Sequence, residues 1–378
     1  MQKIRILFTI PNFDTAGSGK ALLNLASKLD PTIFEPHIAC VNDKGVFFQT
    51  VVNSNIPIHI LPLYSNTRPV ARLLKETWSL SRKIKLIAPD IVHSFNYSAD
   101  YTEAMAVRMA GSKWVFTKKN MSWGGSSKNA WKLRSSLANK IIAQNTDMLK
   151  LFYPGSKKVT LIPRGVNTQE FYFREPFSEL KAKWGIAQKA KIILNVANLV
   201  PVKGIEVLIA AFNKVKSSLP DMDMVLLIVG DNNSEYGNQL KELVKELGIA
   251  DKVIFTGKQQ NISAYNSIAD IFVLPTLDKG RREGSPVALL EAMASGNISL
   301  ASEIAGIRDQ MQSMKEMLFE PGNIDMLASK LISLLSICNT EKEVLQKAMR
   351  NIVLEGYTIE LEVKRHEDFY LSCINKNR

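Results

Sequence analysis

The sequence predicts an α/β protein of two domains, each a parallel sheet covered by helices on both faces. Three observations carry this. Short apolar runs alternate with helical patterns from one end of the chain to the other, as strand–helix–strand units require. The runs fall into two sets, each large enough for its own sheet, and a loop-like stretch at residues 167–175 separates them. A length of 378 residues with 46% hydrophobic content supplies two cores of ordinary size.

In the first set, strands are expected at 4–10, 36–41, 58–62, 91–94, 113–117, 140–143 and 159–162, with a helix at 20–29 after the first strand. A helix at 178–184 opens the second set. Its strands are expected at 191–196, 224–229, 253–256, 271–274 and 298–301, with helices at 205–217, 238–247 and 286–294 between them. The two Rossmann-like domains are therefore drawn at 1–172 and 173–355, and residues 356–378 end the chain with a helix of mixed charge. There is no internal repeat, heptad array or low-complexity tract.

The net charge of +12 is unevenly spread. Residues 1–177 carry 24 Lys and Arg against 11 Asp and Glu, whereas residues 178–378 carry 24 against 25. Residues 101–150 alone hold nine basic and two acidic side chains, among them Lys113, Lys118, Lys119, Lys128, Lys132, Arg134 and Lys140. Such a surface suits anionic lipid head groups or an acidic acceptor, and equally a solvated face that only aids solubility. Nucleic acid is disfavoured, because no aromatic-interleaved recognition motif accompanies the charge. The first ten residues read as a strand and not a leader, since Lys3 and Arg5 interrupt the apolar run. No run approaches the ~18 apolar residues of a membrane span. Cys40, Cys338 and Cys373 are few, odd in number and without metal spacing, which predicts a reducing, cytoplasmic setting.

The segment Arg282-Glu283-Gly284-Ser285-Pro286-Val287-Ala288-Leu289-Leu290-Glu291-Ala292-Met293-Ala294 holds the strongest chemical signal. Proline is favoured at the first helical position and Ser285 can cap just before it, so a helix start, and with it an anion site, is expected there. Glu283 and Glu291 are separated by about 12 Å along the element at ~1.5 Å per residue, the length of a sugar, a diphosphate and a ribose laid end to end. The plainer alternative is an amphipathic helix with both carboxylates in solvent. Against it, Glu291 interrupts an apolar run, where a carboxylate needs a partner.

Further pieces support a phosphate-handling site. In Ala197-Asn198-Leu199-Val200-Pro201-Val202-Lys203-Gly204, a lysine stands between a strand and a helix, where it can reach phosphates at the sheet's carboxyl edge. Asp14-Thr15-Ala16-Gly17-Ser18-Gly19-Lys20-Ala21 fails as a Walker A loop, because Asp14 takes the first glycine position and Ala21 the hydroxyl position. It reads better as a glycine loop in which Gly17 and Ser18 let backbone N–H groups approach a ligand. His93 ends one strand, and Lys118-Lys119 end another. His37, His59 and His366 have no motif around them, Asp221 and Asp223 flank a helix-ending turn, and no cluster has metal-ligand spacing.

Taken together and in order over about residues 1–315, these pieces resemble the retaining glycosyltransferases of family 4 (glycosyltransferase group 1), which have the GT-B fold. The resemblance implies two Rossmann-like domains with parallel sheets facing a central cleft and a C-terminal helix crossing back to the first domain. It implies a hexosyltransferase-type enzyme that needs no metal or other cofactor and uses a UDP- or GDP-linked sugar. The acceptor would be a glycan or a lipid-linked intermediate of a surface polysaccharide, reached from the inner face of the cell membrane. By the same resemblance Glu283 contacts the transferred sugar, and Lys203, Gly284, Ser285 and Pro286 hold the diphosphate. Glu291 takes the ribose hydroxyls, and Gly17 and Ser18 approach the donor. Asn198 stands where the family often has Arg, Ser285 where it has an aromatic residue, and Lys119 where many members have His. His93 is either a catalytic residue or a packed strand end. The departures at Asn198 and Lys119 motivate one alternative, a non-catalytic GT-B subunit that positions a partner glycosyltransferase.

Overall fold

Thirteen strands and the helices between them build two separate parallel sheets in the computed structural model, which describes residues 2–14, 16–45, 47–65, 68–122, 128–279 and 284–374. Met1–Pro163 together with Ile359–Arg378 pack as one unit, and Arg164–Thr358 as the other.

The first unit contains β1 (Ile4–Thr9), α1 (Ala16–Lys28), β2 (Phe34–Cys40), α2 (Phe48–Val52), β3 (Ile58–Ile60), α3 (Val70–Ile87) and β4 (Ile91–Ser94). It continues through α4 (Thr102–Met109), β5 (Lys113–Lys118), α5 (Lys128–Leu137), β6 (Lys140–Ala143), α6 (Thr146–Phe152) and β7 (Val159–Leu161). The strand order is β3-β2-β1-β4-β5-β6-β7. Every pair is parallel, so both faces need helices, and the strands read as nearly continuous apolar runs. Pro36 sits inside β2, and the pairing shows why it is tolerated. The β3 register begins only at Ile38, so at Pro36 no strand on that side asks for an N–H.

The second unit runs α7 (Ser178–Lys183), β8 (Lys191–Val196), α8 (Ile205–Ser218), β9 (Met224–Val229), α9 (Glu235–Glu246), β10 (Val253–Phe255) and α10 (Ile262–Ile268). Then follow β11 (Ile271–Leu274), α11 (Val287–Ala294), β12 (Ile298–Ser302), α12 (Ile307–Gln310), β13 (Leu318–Phe319), α13 (Ile324–Leu335) and α14 (Asn339–Gly356). Its sheet order is β10-β9-β8-β11-β12-β13, the doubly wound Rossmann order. All six residues of β9 are buried, as expected of a strand covered on both faces.

The sequence boundary at 172/173 falls inside the second unit. Val166 donates its N–H to the Tyr357 carbonyl at 2.8 Å, and Phe171 is buried in the second core, so this segment folds with the sheet that follows it. The terminal helix α15 (Ile359–Ile374) returns to the first unit, as the resemblance implied. Ile359, Val363, Phe369, Tyr370 and Cys373 join the first core, and Glu367 accepts the Asp30 N–H at 2.8 Å.

Candidate functional site

In doubly wound sheets the strand order reverses beside the first strand, and loops diverge there to leave a crevice at the carboxyl edge. In the second unit that point lies between β8 and β11. The loop after β8 carries Asn198 and Lys203, and the loop after β11 leads to Gly284–Pro286 and α11. Two glycines fix this geometry. Gly204 has φ +63°, and a Cβ there would lie 2.2 Å from the Pro275 carbonyl oxygen after β11. A Cβ on Gly230, just beyond β9, would lie 2.0 Å from the Ala197 carbonyl oxygen. A bond from Leu277 N–H to the Val202 carbonyl at 2.8 Å ties the lysine turn to the β11 loop. Lys203 is thereby presented half-buried, and burial draws its pKa down to about 8.

Helix α11 begins one residue later than its sequence suggests. Pro286 is extended and serves as the N-cap, and no side chain caps the helix. Ser285 is engaged differently: its Oγ accepts a bond from Gln310 Nε2 at 3.1 Å, and the same amide reaches the Pro286 carbonyl at 3.3 Å. Gln310, 1% exposed on α12, therefore holds the approach to the helix, a role that no sequence motif marks. The first-turn N–H groups of α11 are outside its own hydrogen-bond ladder. Leu289, Leu290, Ala292 and Met293 are buried, whereas Val287, Ala288 and Glu291 are half-buried and share the opposite stripe. Glu291 thus lies one turn along the open face of the helix. Thr276 Oγ1 and Gln310 Oε1, both buried at this edge, have no hydrogen-bond partner among the described residues. Asn198 is exposed at the same edge. Glu283 lies outside the described residues.

The corresponding reversal in the first unit lies between β1 and β4. The expected glycine loop is in fact the first turn of α1, which starts at Ala16, so Gly17 and Ser18 are helical. Ser18 is near Lys119, whose Nζ donates to the Phe95 carbonyl at 2.7 Å and to Ser18 Oγ at 3.4 Å and lies 4.7 Å from the Phe95 ring centroid. Lys118 points the other way. It is fully buried, donates to the carbonyls of Asn120 at 2.7 Å and Ser122 at 2.5 Å, and is drawn by burial to about 7.

His93 is fully buried, with Nδ1 bonded to Tyr370 Oη at 2.7 Å and Nε2 to Thr117 Oγ1 at 2.8 Å. Burial first, then His366 and Lys119, holds its pKa well below the usual imidazole value. This is the geometry of the packed strand end: His93 joins β4, β5 and α15. Beside it, buried Glu103 accepts bonds from Thr9 and from Ser94 Oγ (2.6 Å), and Arg134 reaches Ser94 Oγ at 3.1 Å while stacking over Trp114. Burial raises the Glu103 carboxyl above its ordinary pKa, and Arg134 opposes that shift.

The model for glycosyl transferases group 1 matches residues 176–351, and that for glycosyltransferase family 4 matches residues 15–170. The chain belongs to the family 4 (group 1) glycosyltransferases. Among curated relatives, this glycosyltransferase is 29% identical over 211 residues to N-acetyl-alpha-D-glucosaminyl L-malate synthase of Bacillus anthracis, covering 56% of this chain and 53% of that protein. It is 23% identical over 342 residues to the UDP-Gal:alpha-D-GlcNAc-diphosphoundecaprenol alpha-1,3-galactosyltransferase of Escherichia coli, covering 85% of this chain and 86% of that one. The chain thus spans about half the length of the first relative and most of the second. In fold, it matches the glycosyltransferase of Rickettsia africae with a TM-score of 0.87 at 23% identity, each chain covered completely. It also matches Anabaena HepE in complex with UDP and glucose, with a TM-score of 0.83 at 17% identity, covering 98% of this chain and all of that one. These likenesses establish the GT-B fold for this glycosyltransferase.

Proposed function

We propose that this glycosyltransferase moves a hexose, with retention of configuration, from a UDP- or GDP-linked donor held by the second unit to a lipid-linked or polysaccharide acceptor held by the first. The observation that carries the reading is the pairing of Lys203 with the uncapped start of α11 at the β8/β11 reversal. A half-buried ammonium and a helix N-terminus together offer positive potential to a diphosphate. Both act most strongly on the charge that develops as the diphosphate departs, so they contribute to the transition state and not only to binding. With Lys203, Gly284, Ser285 and Pro286 at the diphosphate, Glu291 lies one turn along the open face, at the distance of a ribose. Glu283 completes the assignment at the transferred sugar. Cations and helix dipole do the leaving-group work without a metal, and the departing phosphate takes the acceptor proton on the face it leaves.

In the first unit, Gly17, Ser18 and Lys119 line the place for the acceptor. His93 is given an architectural role, because both ring nitrogens are already occupied. Helix α3 supports a membrane-bound acceptor. Its outer surface carries exposed Leu74, Trp78 and Leu86 among Arg72, Lys75, Arg82, Lys83 and Lys85, with Arg82 5.0 Å from the Trp78 ring centroid. An apolar stripe among cations suits the surface of an anionic bilayer. The acceptor in the E. coli relative's name, a diphosphoundecaprenol-linked sugar, agrees with that reading.

The test is a thermal-shift screen of nucleotide sugars followed by transfer assays with the purified chain. A donor that raises the melting temperature, and transfer or donor hydrolysis lost in Glu283→Ala, is the expected result. A chain that binds no donor and acts only when a second glycosyltransferase is added would instead support the positioning subunit that Asn198 suggests.

A further inference from the structure

We propose that a cavity at the amino edge of the first sheet binds a compact, multiply charged phosphate anion. The ends of three adjacent strands form it. Lys113 and Lys140 are the first residues of β5 and β6, and Lys157 and Lys158 immediately precede β7. These four lysines, with Asn139, Ser372 and Cys373, line a cavity of about 180 Å³. No carboxylate is in that lining, and none of the four ammonium groups makes an ion pair among the described residues. Like charges gathered in one recess repel, so the arrangement favours an anion that neutralises several of them together.

The remaining polar groups point to the same ligand chemistry. Asn139 Oδ1 accepts the Trp114 N–H at 2.8 Å, so the amide is fixed with only its NH₂ to offer. Ser372 Oγ donates to the Phe369 carbonyl at 2.6 Å and accepts from Lys140 Nζ, which anchors that ammonium against α15. Lys158 has a structural occupation of its own, donating to the carbonyls of Ser136 and Ala138 at 3.3 Å where α5 ends. Lys113 and Lys157 have no such bond among the described residues. The cavity therefore presents donors, led by Lys113, Lys140, Lys157 and the Asn139 amide.

Size selects within the anions. The cavity falls below the ~300–1,000 Å³ of sites for drug-sized ligands, so it suits a phosphate or diphosphate group and not a whole nucleotide. Nor does any aromatic ring line it as a stacking platform for bases. Lys113 is at the opposite end of β5 from Lys118, on the order of 16 Å away at ~3.3 Å per residue, so this cavity is distinct from the carboxyl-edge crevice. An anion here would join α15, through Ser372 and Lys140, to the starts of β5 and β7.

The probe is inorganic pyrophosphate added to the full chain at constant ionic strength, read by hydrogen exchange in α15 and at the starts of β5 and β6. We expect slower exchange at these segments and a rise in melting temperature on the order of 2 °C. The effect should persist in Lys203→Ala, which disables the diphosphate site of the second unit. It should disappear in Lys113→Gln/Lys157→Gln, whose exposed or half-exposed positions leave the fold intact by circular dichroism. A parallel arm replaces pyrophosphate with vesicles containing phosphatidic acid, whose head group is a phosphomonoester. Protection by pyrophosphate assigns a soluble phosphate, and protection by vesicles alone, again lost in the double variant, assigns a lipid head group. No protection by either probe, or equal protection in the double variant, overturns the site.

Discussion

The two sheet reversals of this chain share one topology but differ in how the first strand passes into its helix. In the second unit, Gly204 and Gly230 admit no Cβ, and a backbone bond closes the lysine turn onto the β11 loop. In the first unit the β1 loop is also held, since a Cβ on Gly45 would lie 2.4 Å from the Phe13 carbonyl carbon, but Gly17 in the first turn of α1 is exposed with nothing within 4 Å of where a Cβ would stand, and Ser18 beside it is bonded to Lys119. Charge divides the same way, with the basic excess on the first half of the chain and a nearly balanced second half. A rigid turn suits a ligand with one constant part, such as a diphosphate, whereas an open helix start in a basic unit suits a partner that varies.

That contrast can be broken most forcefully at the chemistry. Lys203→Ala should lower kcat/KM for transfer by about 10²–10³-fold, roughly 3–4 kcal/mol of transition-state stabilisation, while leaving the melting temperature nearly unchanged. Steady-state kinetics beside a melting curve checks both halves of the statement. Next in size is a stability difference. Gly204→Ala combines a left-handed backbone with a 2.2 Å clash and should cost about 2–4 kcal/mol, whereas Gly17→Ala should stay within about 0.5 kcal/mol. Urea denaturation of the two variants would contradict the contrast if both lost equal stability.

The pH profile sharpens the comparison further. Lys203, drawn to about 8 by burial, carries its charge below that pH and loses it above, so in the free enzyme kcat/KM for the donor should fall about tenfold per unit above pH 8. Lys203→Arg should flatten that limb. In the first unit, fully buried Lys118 is lowered to about 7 from 10.5. Between those values the unfolded chain holds a proton that the folded chain lacks, so stability should rise with pH there, and Lys118→Met should remove the slope. The smallest expected effect is none at all: chelation with EDTA should leave transfer unchanged if cations and helix dipole handle the leaving group.

How much of this was legible beforehand depended on whether the signal was local. Strands such as Met224–Val229 announce themselves as unbroken apolar runs, and every predicted strand is present within a residue or two of its expected ends. Strand β13, two residues long, offers too little pattern to detect. Helix α1 was expected later because residues 14–21 read as a glycine loop, yet glycine and serine in a first helical turn cost little. Lys203 was recognisable from its neighbours in sequence. Gln310 was not, since its partner Ser285 is 25 residues away, and the Glu103, Arg134 and Ser94 cluster joins positions up to 40 residues apart. The fate of His93 depended on Tyr370, 277 residues away, and no local motif encodes such a contact.

In the proposed reaction, Lys203 and the start of α11 hold a nucleoside diphosphate. Isothermal titration of UDP and GDP into the wild-type chain and into Lys203→Ala tests it most directly. The wild type should bind at least one nucleotide saturably, with a weakening of about tenfold or more in the variant, at least 1.4 kcal/mol. Equal affinity in both chains, or no binding of either nucleotide, would contradict it.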